Sequence, residues 1–233
     1  MTTADSPHRA DGWTAAVRQR LGLGRLLPLG GPADGAWISE RAAVAVLRRT
    51  ADTPGPGPVL GEVRIAVADP DSAPEPALPS PPSALPPGPL RIEATMSATA
   101  DRPLPTAAAA LRSALLTAAA QRLGLVVGEV DLRVTELLDT VPERPAPESS
   151  AVRGAEPEGV AGTTAAGVPG VATLTRVLGS AVHTAPDHVR VELATSGDHR
   201  ALDVALAVRT AVSKAVHGHP PVTVLVTAVV EED

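Results

Sequence analysis

One pattern occurs twice in this chain and limits what it can fold into: an alternating strand, a long Ala-rich amphipathic helix, then a second alternating strand. Leu90-Arg91-Ile92-Glu93 is echoed by Val189-Arg190-Val191-Glu192 at an offset of 99 residues, and Val130-Asp131-Leu132-Arg133-Val134-Thr135 by Val222-Thr223-Val224-Leu225-Val226-Thr227 at 92. Tighter connections in the second copy account for the difference of 7. The repeat predicts an α+β chain of two tandem small (α)ββαβ modules rather than one large enzyme domain. Each module is expected to be a three-stranded, mainly antiparallel sheet with a helix packed on one face.

Two domains of about 100 residues each suit a chain of 233 residues, near the lower size at which one core suffices. Aromatics are only 1% of the residues, with no Phe, no Tyr and two Trp, so the cores must be built from Val, Leu, Ile and Ala. Each large aliphatic side chain then contributes roughly 1.5–3 kcal/mol when fully buried. The wide ligand pockets that aromatics usually wall are disfavoured by the same count. With no Cys, disulfides, thiolate metal sites and a Cys nucleophile are excluded.

A net charge of −6 argues against nucleic acid as the main partner, since phosphate binding needs concentrated positive charge. The first fifty residues run the other way, with seven Arg against four acids, but too dispersed for a polybasic anchor. No apolar run approaches the roughly 20 residues needed to span a bilayer, and Met1-Thr2-Thr3-Ala4-Asp5 lacks the grammar of a secretory signal. The expectation is a cytoplasmic chain, without direct membrane insertion, that meets a membrane only through a partner.

The organisation reads in four parts: an N-terminal amphipathic segment (1–34), a first module (35–138), an acidic Pro-rich linker (139–160) and a second, shortened ββαβ module (161–233). Gly12 to Leu27 has helical spacing, and Trp13, Val17 and Leu21 at i, i+4 and i+8 are the candidate partner-binding residues. In the first module Ser39 is placed to cap a helix running to about Thr50, and Val63 to Val67 form a strand. Residues 70–89 then hold nine prolines, which favour polyproline conformations and cannot pair inside a sheet. Leu90 to Thr99 alternates without a miss, as a strand buried on one face does. A helix from Thr106 to Leu123, ended by a left-handed Gly124, and a strand from Val130 to Leu138 complete the module.

The second module offers only one or two weak helical turns over Ala161 to Gly170. Strands over Val171 to Leu178 and His188 to Thr195 follow, then a helix from Asp198 to about Val216. The last strand, Val222 to Val230, is apolar on both faces and is therefore expected to be central in its sheet or covered.

Residues that could carry chemistry are better explained otherwise. His217-Gly218-His219, with His183, His188 and His199, has no helical His-x3-His pair and reads as loop histidines. Ser39, Ser113, Ser196 and Ser213 lack a nucleophile-elbow setting. Glu129 and Asp131 share a solvent-facing side of one strand, and the glycines at Gly22, Gly24, Gly30 and Gly31 are turns rather than a phosphate cradle. No catalytic, cofactor-binding or metal site is assigned. Mixed-sign strand faces, Arg91/Glu93 and Arg190/Glu192, argue against an RNA-binding sheet.

Ile38-Ser39-Glu40 opening an Ala-rich helix, Leu123-Gly124-Leu125-Val126-Val127-Gly128-Glu129-Val130 leading into a strand, and the Ala165-Ala166-Gly167-Val168-Pro169-Gly170-Val171 turn resemble the alkaline shock protein family of bacterial cell-envelope stress proteins. The resemblance covers about residues 35–138 and 160–230; the family usually has one such domain per chain. It implies a non-enzymatic, homo-oligomeric protein of the envelope stress response, recruited by a small membrane protein. The Ala/Arg/Pro-heavy composition also resembles actinobacterial chains labelled as nucleopolyhedrovirus-type proteins, but no sustained heptad supports a coiled-coil fibre. A regulatory small-molecule-binding module is the alternative reading, because paired β-α-β units of this size can hold metabolites between them.

Overall fold

The computed structural model describes residues 22–51, 57–100, 102–139 and 152–231. The candidate residues Trp13, Val17 and Leu21 lie outside them. The chain is mixed α+β: β1 (Leu26–Leu29), β2 (Ala36–Ser39), α1 (Glu40–Ala51), β3 (Val59–Val67), β4 (Leu90–Thr99), α2 (Leu104–Ala118), β5 (Val127–Leu138), α3 (Gly159–Ala166), β6 (Val171–Leu174), β7 (Val182–Thr184), β8 (Val189–Ser196), α4 (Ala201–Ala215) and β9 (Val222–Val230). The strands form a three-stranded sheet, β3-β4-β5, and a six-stranded sheet in the order β1-β2-β9-β8-β6, with β7 also on β8.

Both sheets contain a β-β-α-β run with the same pairing. β3 is antiparallel to β4, and β4 is parallel to β5; β6 is antiparallel to β8, and β8 is parallel to β9. The expected mainly antiparallel sheets are corrected here, because a helix crossover returns the chain in the direction it left. The expectation of a second three-stranded sheet is corrected too. The segment expected to be helical up to Leu27 enters β1, and β1-β2 is a hairpin whose second strand runs parallel to β9. Thus residues on both sides of position 34 belong to one hairpin of the six-stranded sheet.

Pairing also corrects the repeat. Val130 lies beside Ile92, whereas Val224, not Val222, lies beside Val191. A two-residue slip keeps every side chain on its face, so periodicity cannot detect it.

Local chemistry explains the element ends. Ser39 Oγ accepts the Ala42 N–H at 3.2 Å, capping α1. Pro103, not Thr106, precedes the first turn of α2, where a missing N–H is harmless. A π turn over Ala119–Leu123 continues α2, and Gly124 ends it in the left-handed region at φ 87°.

One continuous aliphatic core runs between helices and sheets, including Ile65, Ile92, Met96, Leu115, Val191, Val208 and Val224, all fully buried. Helix α1 packs on β3, α2 and β9, and so joins the two sheets. At its start Glu40 binds Arg25 and accepts the Ile65 N–H, tying the β1-β2 hairpin to β3. Burial raises the Glu40 pKa, but the Arg25 side chain and the two backbone donors outweigh it and hold the carboxyl below its ordinary value. No helix among the described residues is long and apolar enough to cross a membrane.

Candidate interaction surface

The outer faces of the two sheets, turned away from the helices, diverge. On the six-stranded sheet Leu23, Leu26, Trp37 and Leu225 form a second small core, closed by Ala84, Val177 and Leu178. Ala84 belongs to the Pro-rich segment, and the Leu85 N–H donates to the Leu26 carbonyl at 2.8 Å, covering the β1 edge. The opposite edge is covered as well, by Ala155 bridging to Leu174 of β6.

Glu192 is the residue on this face that sequence reasoning places wrongly. A mixed-sign solvent face is the expectation, yet the side chain is fully buried. Its Oε2 accepts the N–H groups of Val177 and Leu178 at 2.8 and 2.9 Å, and Oε1 accepts from Arg190 at 3.3 Å. Burial pushes the Glu192 carboxyl up, against the lowering effect of those donors. With its acceptors taken up by the loop and by Arg190, the carboxylate staples residues 175–181 across the sheet. The cover comes from segments without periodicity, so no pattern in β8 announces it.

On the three-stranded sheet the corresponding Arg-x-Glu pair stays in water. Arg91 reaches Asp131 at 2.6 Å, Glu129 at 3.4 Å and Glu93 at 3.8 Å, one guanidinium among three carboxylates. Asp131 above all, then Glu129 and Glu93, raise the Arg91 pKa further. Arg64 stands opposite Glu93 and Arg133 lies two residues beyond Asp131, so the face is mixed in sign, in keeping with the solvent-facing placement of Glu129 and Asp131 read from the sequence.

Beside that face runs β5, twelve residues long and at the edge of its sheet. Val126, just before it, and Val134 and Leu137 within it are 48%, 40% and 61% exposed, and they are three of the four large apolar side chains most exposed among the described residues. The other edge strand of this sheet is better protected. β3 and β5 both have register irregularities, between Leu60 and Val63 in β3 and at Gly128 and Thr135 in β5, but in β3 the Ile65 N–H also goes to Glu40 and Arg48 donates to the Gly61 carbonyl at 3.4 Å. Along β5 Arg112 donates to the Val130 carbonyl at 3.1 Å. A signal for the difference exists in the sequence: after Val134 the run Thr135-Glu136-Leu137-Leu138 abandons alternation, whereas β9 stays apolar.

The residues of the histidine group are dispersed into local contacts. His188 meets Asp187, His199 meets Asp198, and His219 Nδ1 lies 2.9 Å from the Ser213 carbonyl. Among the described residues no three His, Asp or Glu side chains are placed to share a metal ion. A concavity of about 450 Å³ opens between Leu78, Leu206, Arg209, Ser213, His219 and Val222. Its polar groups hold the walls together: Arg209 donates to the Ala33, Asp34 and Val222 carbonyls, and Ser213 Oγ to that of Pro220.

No protein-family model, curated protein or solved structure matches the chain.

Proposed function

We propose that this chain is a non-enzymatic interaction protein, built from two diverged copies of one (α)ββαβ unit, that acts by associating with copies of itself. The carrying observation is the concentration of exposed apolar side chains, Val126 just before and Val134 and Leu137 within one long edge strand. Edge strands that stay unpaired in solution are normally short, bulged or covered; β5 is long, and between its irregularities at Gly128 and Thr135 it keeps a regular stretch from Glu129 to Val134 on which a partner strand can pair. The alkaline shock protein resemblance adds the envelope stress role and recruitment to a small membrane-bound partner.

Light scattering on the full chain over a concentration series tests the association, with a mass that rises above 23.6 kDa expected. A constant monomer mass contradicts it. Recovery with the membrane fraction of the native host, lost when the partner is stripped, tests the recruitment. The small-molecule alternative draws on the 450 Å³ concavity. A metabolite that raises the melting temperature, and fails to do so after Ser213→Trp, would favour that reading.

A further inference from the structure

We propose that two copies of the chain join edge to edge through β5, antiparallel and centred on Leu132. This rests on the reading of the protein as self-associating and specifies the surface that does it.

The β5 sequence is complementary to its own reverse about that centre. Leu132 meets Leu132, Val130 meets Val134, and Asp131 meets Arg133 twice, once on each side of the two-fold axis. The strand is regular over this stretch, from Glu129 to Val134, between its irregularities at Gly128 and Thr135. A shift by one residue forfeits both Asp131–Arg133 pairs.

Charge favours the same partner. Around Arg91 three carboxylates share one guanidinium; Arg64, on β3, stands opposite Glu93, whereas Glu129 and Asp131 lie on the edge strand β5 itself, where a cation from a second copy can reach them. Arg133 is exposed on the same strand two residues from Asp131, and the two-fold axis carries it from one copy to the acidic cluster of the other. Arg112 uses one lone pair of the Val130 carbonyl and leaves the other for a strand partner. The molecule already contains one strand addition at this place, since β9, the strand equivalent to β5, takes β2 on its outer edge.

Two charge reversals on the full chain test the proposal by sedimentation velocity. Arg133→Glu brings a new carboxylate against the acidic cluster of the other copy, and Asp131→Arg brings a new guanidinium against each Arg133. Each variant alone is expected to weaken association roughly tenfold, because the repulsive contact occurs twice. Mixed in equal amounts they should recover it as a heterodimer, in which the new carboxylate faces the new guanidinium and the remaining Asp131 faces the remaining Arg133. Both positions are exposed, and unchanged circular dichroism melts exclude misfolding as the cause. Wild-type association that neither variant weakens overturns the β5 interface while self-association stands. Weakening without recovery on mixing overturns the antiparallel register. A wild-type chain that stays monomeric at all concentrations overturns both readings.

Discussion

The same Arg-x-Glu pair stands on the outer face of both sheets, and its two settings show how one strand pattern acquires opposite roles. Arg91 and Glu93 keep 42% and 57% of their side chains in water, whereas Arg190 and Glu192 keep 12% and none. On the neighbouring third strands Glu129, Asp131 and Arg133 in β5 correspond, by the pairing, to Thr223, Leu225 and Ala228 in β9. In the six-stranded sheet the hairpin, the Pro-rich segment and residues 175–181 cover face and edges with the chain's own atoms. Among the described residues the three-stranded sheet has an open counterpart at the same place in the fold. Cover supplied from within the chain turns a sheet into core; where it is missing, the face stays charged and the edge is free to pair.

Substituting an inner-face valine on each of the two third strands, β9 and β5, should separate the two sheets most strongly. Val224→Asp puts a charge into the fully buried shared core and is expected to cost more than about 4 kcal/mol and abolish cooperative unfolding. Val134→Asp, at 40% exposure, should cost less than about 1 kcal/mol and instead suppress association. Urea melts and light scattering on both variants check this, and equal stability losses would erase the distinction.

Glu192→Ala and Glu93→Ala make the same comparison on the outer faces. The first leaves the Val177 and Leu178 N–H groups and Arg190 without their acceptor and is expected to cost about 3 kcal/mol. The second removes a 3.8 Å contact in water and should stay within about 0.5 kcal/mol. Chemical denaturation of the two variants reads the gap between them. A smaller effect is expected at the start of α1. Ser39 Oγ caps Ala42 and donates to the Thr227 carbonyl at 2.9 Å, so Ser39→Ala should cost about 1–2 kcal/mol in the same measurement.

The smallest effect is a slope with pH. Glu192 holds its proton more tightly folded than unfolded, so the stability linked to it is greatest below the ordinary carboxylate range and declines as pH rises through its raised value. Glu40 runs the other way: its contribution is present above the ordinary range and is lost as pH falls through its lowered value. Glu192→Gln, which keeps an acceptor for the loop, should therefore flatten the decline in melting temperature as pH rises above the ordinary carboxylate range. An unchanged slope would show that Glu192 is not its source.

How much of this is legible in the sequence depends on whether the signal is local. Alternation from Leu90 to Thr99, the Ser39 cap, Gly124 and the doubly apolar β9 follow from residues within a few positions of one another, and they stand. The β1-β2 hairpin escapes a reading of Leu26 and Leu27, because a four-residue strand is too short for periodicity and its partner β9 lies almost two hundred residues away. Glu192 is misplaced for a related reason: its cover has no period of its own. The exposed edge is partly visible in the polar outer face of Val130 to Leu138, but which strand ends a sheet is a property of the whole sheet.

Hydrogen–deuterium exchange of the full chain at low and high concentration tests the open edge most directly. Those amides between Val130 and Val134 that point away from β4 should exchange quickly in dilute solution and gain protection as the mass rises, while those of Val222 to Val226 remain protected throughout. Association accompanied by unchanged exchange in β5 would contradict the account.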